Sequence, residues 1–345
     1  MLSRTAVVIL NWNGRNFLEK FLPPLLLQNS DYQADMYVAD NASSDGSVEF
    51  LQSNFQDVKL ILFDVNHGFA AGYNRVLEQL HNYDYYVLLN SDVEVTENWL
   101  QPLIEYLNTH EDTAVVQPKM ISFSDKKMFE YAGAAGGFID KYGYPFCRGR
   151  IFQTIEADKK QYDIVSDIFW ATGACFVIRA ADYWDAGGFD DNFFAHQEEI
   201  DLCWRLRTRG RKIVCVPQSI VYHVGGGTLN VENPQKTYLN FRNNLFLLYK
   251  NLPKNRLKKT MCIRLFLDYL AVLQFIINGK WKNARQIFFA WRDFCKTKNR
   301  FSEKRQENLR KTVIKEIPEI SQKSIVFQYY IKKKKYFNQY YKNNE

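Results

Sequence analysis

The sequence predicts an α/β fold: a mixed, mostly parallel sheet flanked by helices, with a helical C-terminal extension. Three observations predict it. Across the first hundred residues, short and nearly continuous apolar runs alternate with stretches of helical spacing, the pattern of βαβ units. Each apolar run ends in polar residues, as strands do where an open sheet meets a ligand crevice at its carboxyl edge. Charge then divides the chain. Residues 1–234 hold 19 Lys/Arg and 31 Asp/Glu, net −12; residues 235–345 hold 26 and 7, net +19.

In order, "TAVVILNWN" reads as a strand ending on Asn11 and Asn13. "NFLEKFLPPLLLQN" has helical spacing that Pro23 and Pro24 should break. "ADMYVADNASSDGS" is strand then loop, turning at Asp40 and Asn41, and "SVEFLQSNF" is a short amphipathic helix with Ser47 as its cap. "VKLILFDVNHG" is strand then loop, "GYNRVLEQLHN" is helical, and "YDYYVLLNSD" is a strand closing on Asn90, Ser91 and Asp92. Such apolar strands fit a sheet covered on both faces. From about 115 to 234 the pattern is mixed. "ACFVIRA" and "KIVCVPQ" read as strands, "EEIDLCWRLRTRG" as a helix closed by Gly210, and "SIVYHVGGGT" as a strand entering a glycine-rich loop. Beyond 235 the reading is helical: a segment stopping at Pro253, an apolar one running to Gly279, and the basic amphipathic "NARQIFFAWRDFCK". Two units are expected, 1–234 and 235–345.

Several classes are excluded. No G-x-G-x-x-G or G-x-x-x-x-G-K-[ST] follows a strand, so neither a dinucleotide fingerprint nor a P-loop is present. The six cysteines show no C-x-x-C spacing, which argues against a zinc site or a disulfide framework; Cys175 and Cys203 read as core thiols. "MLSRTAVVILNWNG" has only a five-residue apolar run, too short for a secretory signal, so a cytoplasmic location is expected. The basic extension calls for an anionic partner. Its charges are threaded through apolar helices, which fits a membrane surface better than nucleic acid, the alternative being helices packed on the body. Arg264 and Asp268 interrupt the most apolar segment, which reads as too short and too charged to span a bilayer.

"VVILNWN", "VADNASSDGS", "NHGFAAGYNR", "LLNSD", "TGACFVIR", "GGFDDNFFAHQEEIDLCWRLRTRG" and "VYHVGGGT" follow one another at spacings that resemble family two glycosyltransferases. These are inverting enzymes of the GT-A fold that use nucleotide-sugar donors. The likeness is closest to the rhamnosyltransferase-like branch that builds bacterial surface polysaccharides, and covers residues 5 to about 250. Seven motifs in order are a specific signal where any one would be weak.

The resemblance implies roles. Asp40 would accept a uracil or thymine ring N–H, a task suited to an acceptor-only carboxylate; without the resemblance it reads rather as a helix cap or turn residue. Asn11, Asn66, Gly68, Phe69 and Asn74 would complete the donor pocket. The small residues there allow close backbone approach, and the helix starting there would aim N–H groups at phosphate. "NSD" occupies the place of a D-x-D pair, with Asn90 where the family usually has Asp. Asp92 would be a ligand of a divalent cation, Mn2+ or Mg2+, and Asn90 would touch the donor. His223 would complete that metal site, with Gly225, Gly226 and Gly227 beside it to cradle phosphate. Glu199 takes the position of the base, in a Glu198–Glu199 pair where Glu-Asp is usual. The plainer reading is that acids at a helix start complement its dipole. Asp201 and Arg205 have the spacing of a supporting ion pair. Trp170, Thr172 and Gly173 would face the acceptor, Trp170 by stacking on a sugar ring unless it is a core residue.

The implied partners are a nucleotide-sugar donor, a glycan or lipid-linked glycan acceptor, and a membrane surface met by the extension; no nucleic acid is expected. Two rival readings are a nucleotidyltransferase that makes a nucleotide sugar and a catalytically silent nucleotide- or glycan-binding protein. The first usually has a glycine-rich basic loop after its first strand, where this chain has "LNWNGRN".

Overall fold

The computed structural model describes residues 3–29, 32–225 and 233–341. Its first half follows the expected alternation: β1 (Thr5–Asn11), α1 (Arg15–Asn29), β2 (Asp35–Asp40), α2 (Ser47–Asn54), β3 (Lys59–Leu62), α3 (Gly68–Leu77), β4 (Tyr85–Leu89), β5 (Val93–Val95), α4 (Gln101–Thr109) and β6 (Thr113–Ser122). A smaller set of strands follows: β7 (Gly137–Asp140), β8 (Pro145–Cys147), β9 (Arg150–Ile151) and β10 (Thr154–Ile155). The chain then returns to the main sheet through β11 (Ser166–Ile168), β12 (Cys175–Arg179), α5 (Ala180–Asp185), α6 (Glu198–Thr208) and β13 (Lys212–His223). The C-terminal part contains α7 (Pro234–Asn251), α8 (Lys254–Ile277), α9 (Trp281–Thr297), α10 (Ser302–Arg310), β14 (Ile320–Ser321), α11 (Ile325–Tyr330) and α12 (Phe337–Tyr340).

Among the described residues the main sheet runs β11-β13-β6-β12-β4-β1-β2-β3, with β5 paired to β13. β4, β1, β2 and β3 are parallel, and β12 enters antiparallel between β4 and β6. Alternate residues of one strand enter opposite cores. Val8 and Leu88 pack on the side of α3 and α6, while Val7, Ile9, Val87 and Leu89 pack on the side of α1 and α4. Period-two exposure to two apolar layers is why these strands read as continuous apolar runs.

Three local expectations change. α1 runs unbroken through Pro23 and Pro24. Both prolines lie away from the buried Leu18–Phe21–Leu22–Leu25 face, and Glu19 and Lys20, the residues four positions before them, are exposed, so the bonds the prolines cannot make lie on the solvent side of the helix. Ser47 does not cap α2. Gly46 holds the cap position, while the Ser47 hydroxyl donates to Asp45 Oδ1 at 2.5 Å. The two strands expected over 212–218 and from 219 onward are one strand, β13, with its register against β6 shifted between Val216 and Ile220.

The boundary expected at 234 carries no break in packing. Leu245, Phe246, Leu248, Phe294, Phe301 and Phe337 share one apolar core with Phe138, Phe193 and Trp204. β14 adds in parallel to β7, Ile320 opposite Ile139. Cys147, Cys175, Cys203 and Cys215 are buried free thiols.

Candidate functional site

The carboxyl ends of β1 and β2 meet because the two strands pair in register up to Asn11 opposite Asp40. Asn11 Nδ2 donates to Asp40 Oδ2 at 3.0 Å, and the Ser43 backbone N–H donates to Asp40 Oδ1 at 2.8 Å. Asp40 is thus fixed and buried, with one acceptor position on each oxygen still open. Asn11 Oδ1 is buried without a partner. Next to Asp40, Asn41 ties two loops: its Nδ2 donates to Asn66 Oδ1 and to the Gly68 carbonyl, both at 3.0 Å, and its Oδ1 accepts from His67 N–H.

The start of α3 departs from expectation. Its N–H groups are consumed within the protein: Gly68 donates to Asn66 Oδ1 at 2.7 Å, and Phe69 and Ala70 donate to the Phe194 carbonyl. This end is not an open anion cradle, since the orphan donors of its first turn already have partners. Gly68 is required there for another reason. Its φ is +74°, and a Cβ would stand 2.7 Å from the Phe194 carbonyl oxygen. Asn74 is also corrected. Its amide donates to the Phe189 carbonyl and to Asp191 Oδ1 and accepts from Tyr183 and Phe189 N–H, so it binds the 183–191 turn to α3 and has nothing left for a donor.

β4 ends at Leu89, and the backbone N–H of the next residue, Asn90, bonds the Ala174 carbonyl. Two residues on, the Asp92 carboxylate is buried, with Oδ1 3.2 Å from His223 Nε2. The opposite ring nitrogen of His223 lies 3.3 Å from Glu130 Oε1, close enough for charge pairing but not aligned as a hydrogen bond. Glu130 Oε2 accepts from Ala132 N–H at 2.6 Å. Burial disfavours a charged imidazole, but the two carboxylates outweigh it and lift His223 to about 10. Among the described residues no group of three or more His, Cys, Asp or Glu side chains is placed to share one ion. The Asp92–His223 pair fits a divalent cation by donor type and spacing once the imidazole gives up its proton to the ion, and such ions are often held by two protein ligands plus substrate phosphates. Gly225 is described; Gly226 and Gly227 lie outside the described residues.

The acid pair stands at the first turn of α6, after a loop with positive φ at Phe194, His196 and Gln197. Three non-glycine residues in that region are strained unless the surroundings hold them. α7 does so. Asn243 Nδ2 donates to the carbonyls of Phe193, Ala195 and His196 at 2.8–2.9 Å, and Asn244 Nδ2 donates to Gln197 Oε1 at 3.0 Å. Beneath the loop, Lys250 bonds both Asp190 and Asp201, and Asp201 also accepts from Arg205 at 3.0 Å.

Glu198 is buried and Glu199 partly exposed, and each has a buried Oε2 with no partner. Burial, reinforced by Glu199, pushes Glu198 well above the usual carboxyl range, and burial pushes Glu199 up to about 7. His196 Nε2 is likewise unpartnered, and burial, helped by Lys236, lowers that ring to about 4. Lys236, on the first turn of α7, lies within electrostatic reach of both Glu130 and His196.

On the third side, Gly173 lies against Phe69, where a Cβ would stand 3.2 Å from the ring. Thr172 N–H bonds Gln117, and its hydroxyl accepts from Ala174 N–H. Trp170 belongs to the core. It is 3% exposed, its indole N–H donates to the Phe138 carbonyl at 2.9 Å, and its ring covers Gly137. No open ring face remains for a sugar.

Glu130, Asn41, His196, Lys236 and Asn243 were missed by sequence reasoning. For Asn243 a signal existed: "RNN" inside an otherwise apolar helix asks what buried polar groups are for. For Glu130, a lone acid in "MFEYAG", there was none.

The profile described as "Glycosyl transferase family 2" matches residues 6–185. The chain belongs to this family. Within family 2 it falls in the rhamnosyltransferase-like branch. It is 25% identical over 232 residues to the N-acetylglucosaminyl-diphospho-decaprenol L-rhamnosyltransferase of Mycobacterium tuberculosis, covering 63% of this chain and 75% of that one. It is 23% identical over 223 residues to the rhamnosyltransferase WbbL of Escherichia coli, covering 63% and 82%. Solved structures share the GT-A fold. S. aureus TarS 1-349 in complex with UDP-GlcNAc superposes with a TM-score of 0.56 at 13% identity, covering 89% of each chain. GalNAc-T7 with UDP, GalNAc and Mn2+ gives 0.56 at 15%, covering 72% of this chain and 48% of that one. The mannosyltransferase PcManGT of Pyrobaculum calidifontis with GDP-Man and Mn2+ gives 0.51 at 12%, covering 90% and 86%.

Proposed function

We propose that this family 2 glycosyltransferase moves a sugar from a nucleoside-diphosphate donor to a hydroxyl of a surface-polysaccharide or lipid-linked glycan, inverting the anomeric centre. dTDP-rhamnose is the first choice of donor, on the strength of the rhamnosyltransferase relatives, and UDP-sugars are the second. The enzyme would work at the cytoplasmic face of a membrane.

The observation that carries this reading is the acid pair: two carboxyl groups, each with a buried, unpartnered oxygen, on the first turn of α6 after a loop clamped by α7. Such an oxygen lacks only a donor, and an acceptor hydroxyl supplies one. Glu199, the more accessible of the two, is the base. It takes the hydroxyl proton as the acceptor oxygen bonds to the anomeric carbon, and the bond from that carbon to the diphosphate oxygen breaks on the opposite face. One displacement gives inversion, with no covalent enzyme intermediate. A base lifted toward 7 by burial is matched to this task near neutral pH.

Asp40, with Asn11 beside it, would read the base of the nucleotide. Asn66 and Asn41 would hold the loop that walls the pocket, with Phe69, Asn90 and Gly173 lining it. Asp92 and His223 would hold a divalent cation, which when bound offsets charge on the departing diphosphate. The Mn2+ in two of the superposed structures supports that assignment.

Thermal shift with nucleotide sugars, with and without Mn2+ or Mg2+, tests the donor; proton NMR of the product's anomeric configuration tests inversion. A dTDP- or UDP-sugar should stabilise the protein by mass action. Stabilisation without transfer to any acceptor or hydrolysis of any donor would favour a silent binding protein. Formation of nucleotide sugar from nucleoside triphosphate and sugar phosphate would favour a nucleotidyltransferase.

A further inference from the structure

α8 is turned inside out. The side facing the body carries Thr260, Arg264, Asp268 and Val272, spaced by four and all buried. Asp268 accepts from the Tyr144 hydroxyl and from Trp291 Nε1, both at 2.9 Å, and pairs with Arg264 at 3.1 Å. Arg264 also donates to the Tyr142 carbonyl at 3.0 Å and to Asn244 Oδ1. The opposite side carries Leu265, Phe266, Tyr269, Leu270, Leu273 and Ile277, all exposed, Phe266 at 61% and Ile277 at 83%. A helix on a water-facing surface has the reverse arrangement. Trp281, 64% exposed, follows just beyond the end of this stripe.

The charge around the stripe has one sign. From Lys254 to Arg292 the chain holds nine Lys/Arg and a single acid, the buried Asp268. Lys258 and Lys259 are exposed and stand seven residues before Leu265 and Phe266, hence on the same face, with stems long enough to reach up from an apolar surface. Gln274 of α8 bonds Tyr330 of α11, and the exposed Phe327 and Ile331 there lead into four consecutive lysines, 332–335. Exposed aromatic and aliphatic side chains with basic ones beside them complement an anionic lipid surface.

We propose that this face of α8 lies in the plane of an anionic bilayer's interface, Trp281 and the flanking lysines at headgroup level. The inference rests on the reading of the acceptor as lipid-linked and names the surface that meets the lipid. α8 is long and apolar enough to cross a membrane by length and composition. It does not cross, because Arg264 and Asp268 at its middle are bonded to four residues of the body, and spanning would strip both of those partners.

The test is vesicle co-sedimentation of the full chain with phosphatidylcholine alone and with phosphatidylcholine–phosphatidylglycerol mixtures. Wild type should pellet with the anionic vesicles, less so at high salt, and should be released by alkaline carbonate. The double variant Phe266→Asp, Leu273→Asp should lose binding by about tenfold or more. Its thermal midpoint and donor-induced shift, measured without vesicles, should match wild type and show that it folds. Undiminished binding by this variant, or no anionic-vesicle binding by wild type, overturns the proposal. So does retention after carbonate, which means a span. A wild-type dimer in analytical ultracentrifugation that the substitutions convert to monomer also overturns it, because a second copy then covers the face. Donor-induced stabilisation in vesicle-free buffer reports on the transferase reading alone, so the two can fail separately.

Discussion

Asn243 donates its side-chain amide to the His196 carbonyl at 2.8 Å, so a helix from the basic third of the chain fixes the backbone two residues ahead of the acid pair. The same amide holds Phe193 and Ala195. This explains how a loop with left-handed Phe194, His196 and Gln197 persists. Replacing Asn243 by Ala should cost about 1–3 kcal/mol, because buried carbonyls lose their donor. It should lower kcat, by up to about a hundredfold through misplacement of the base, with donor KM little changed. Urea unfolding and steady-state kinetics check the two parts. Asn243→Asp, which cannot donate, should behave like the alanine variant.

Glu199→Gln should keep donor-induced thermal stabilisation while transfer falls about 10²–10⁴-fold. Full turnover in this variant would move the base to Glu198. The pH dependence has a defined sign. The base must be ionised, so kcat/KM of wild type should climb with pH through about 7 on its acid limb. Stability should move oppositely. A carboxyl raised on folding favours the native state below its usual value of 4.5, and this contribution is lost as pH rises toward about 7. Glu199→Gln should flatten that decline in a series of melts at increasing pH.

Asp92→Ala should abolish any Mn2+-dependent part of the nucleotide-induced thermal shift while leaving a metal-independent part. Titration of Mn2+ followed by electron paramagnetic resonance gives a readout independent of turnover. Identical shifts and identical Mn2+ affinity in wild type and variant would refute the assignment. His223→Ala should weaken the ion in the same assay, since its Nε2 faces Asp92 at 3.2 Å.

Asp268→Ala leaves the Arg264 guanidinium buried without its carboxylate and removes the acceptor for Tyr144 and Trp291. Breaking a buried pair in this way costs about 3–5 kcal/mol. Chemical denaturation should show it. Joint replacement of both residues by apolar ones should recover much of the loss.

Much of the site was legible before any coordinates. The apolar runs ending at Asn11, Asp40 and Asp92 announced strands that empty into a crevice, and "HQEEIDLCWRLRTRG" announced an acid-tipped helix, because local period and local chemistry are written in adjacent residues. What adjacent residues cannot state is which polar group spends its hydrogen bonds where. Gly68 and Asn74 looked free to donate toward a nucleotide, yet the Gly68 N–H goes to Asn66 Oδ1 and the Asn74 amide to the Phe189 carbonyl and Asp191. Trp170 looked like a stacking platform until Gly137 was found beneath its ring. Glu130, a lone acid, had no signature as a partner of His223, and the "RNN" of α7 flagged Asn243 as a buried polar group without naming His196 as its partner. The sequence by itself determined the strand–helix alternation, the family and the positions of the acids. The tertiary structure alone decided which of those side chains remain unsatisfied. Satisfaction depends on contacts between residues far apart in sequence, 47 positions for Asn243 and His196 and 109 for Tyr183 and Asn74, and burial makes each such contact a matter of kilocalories.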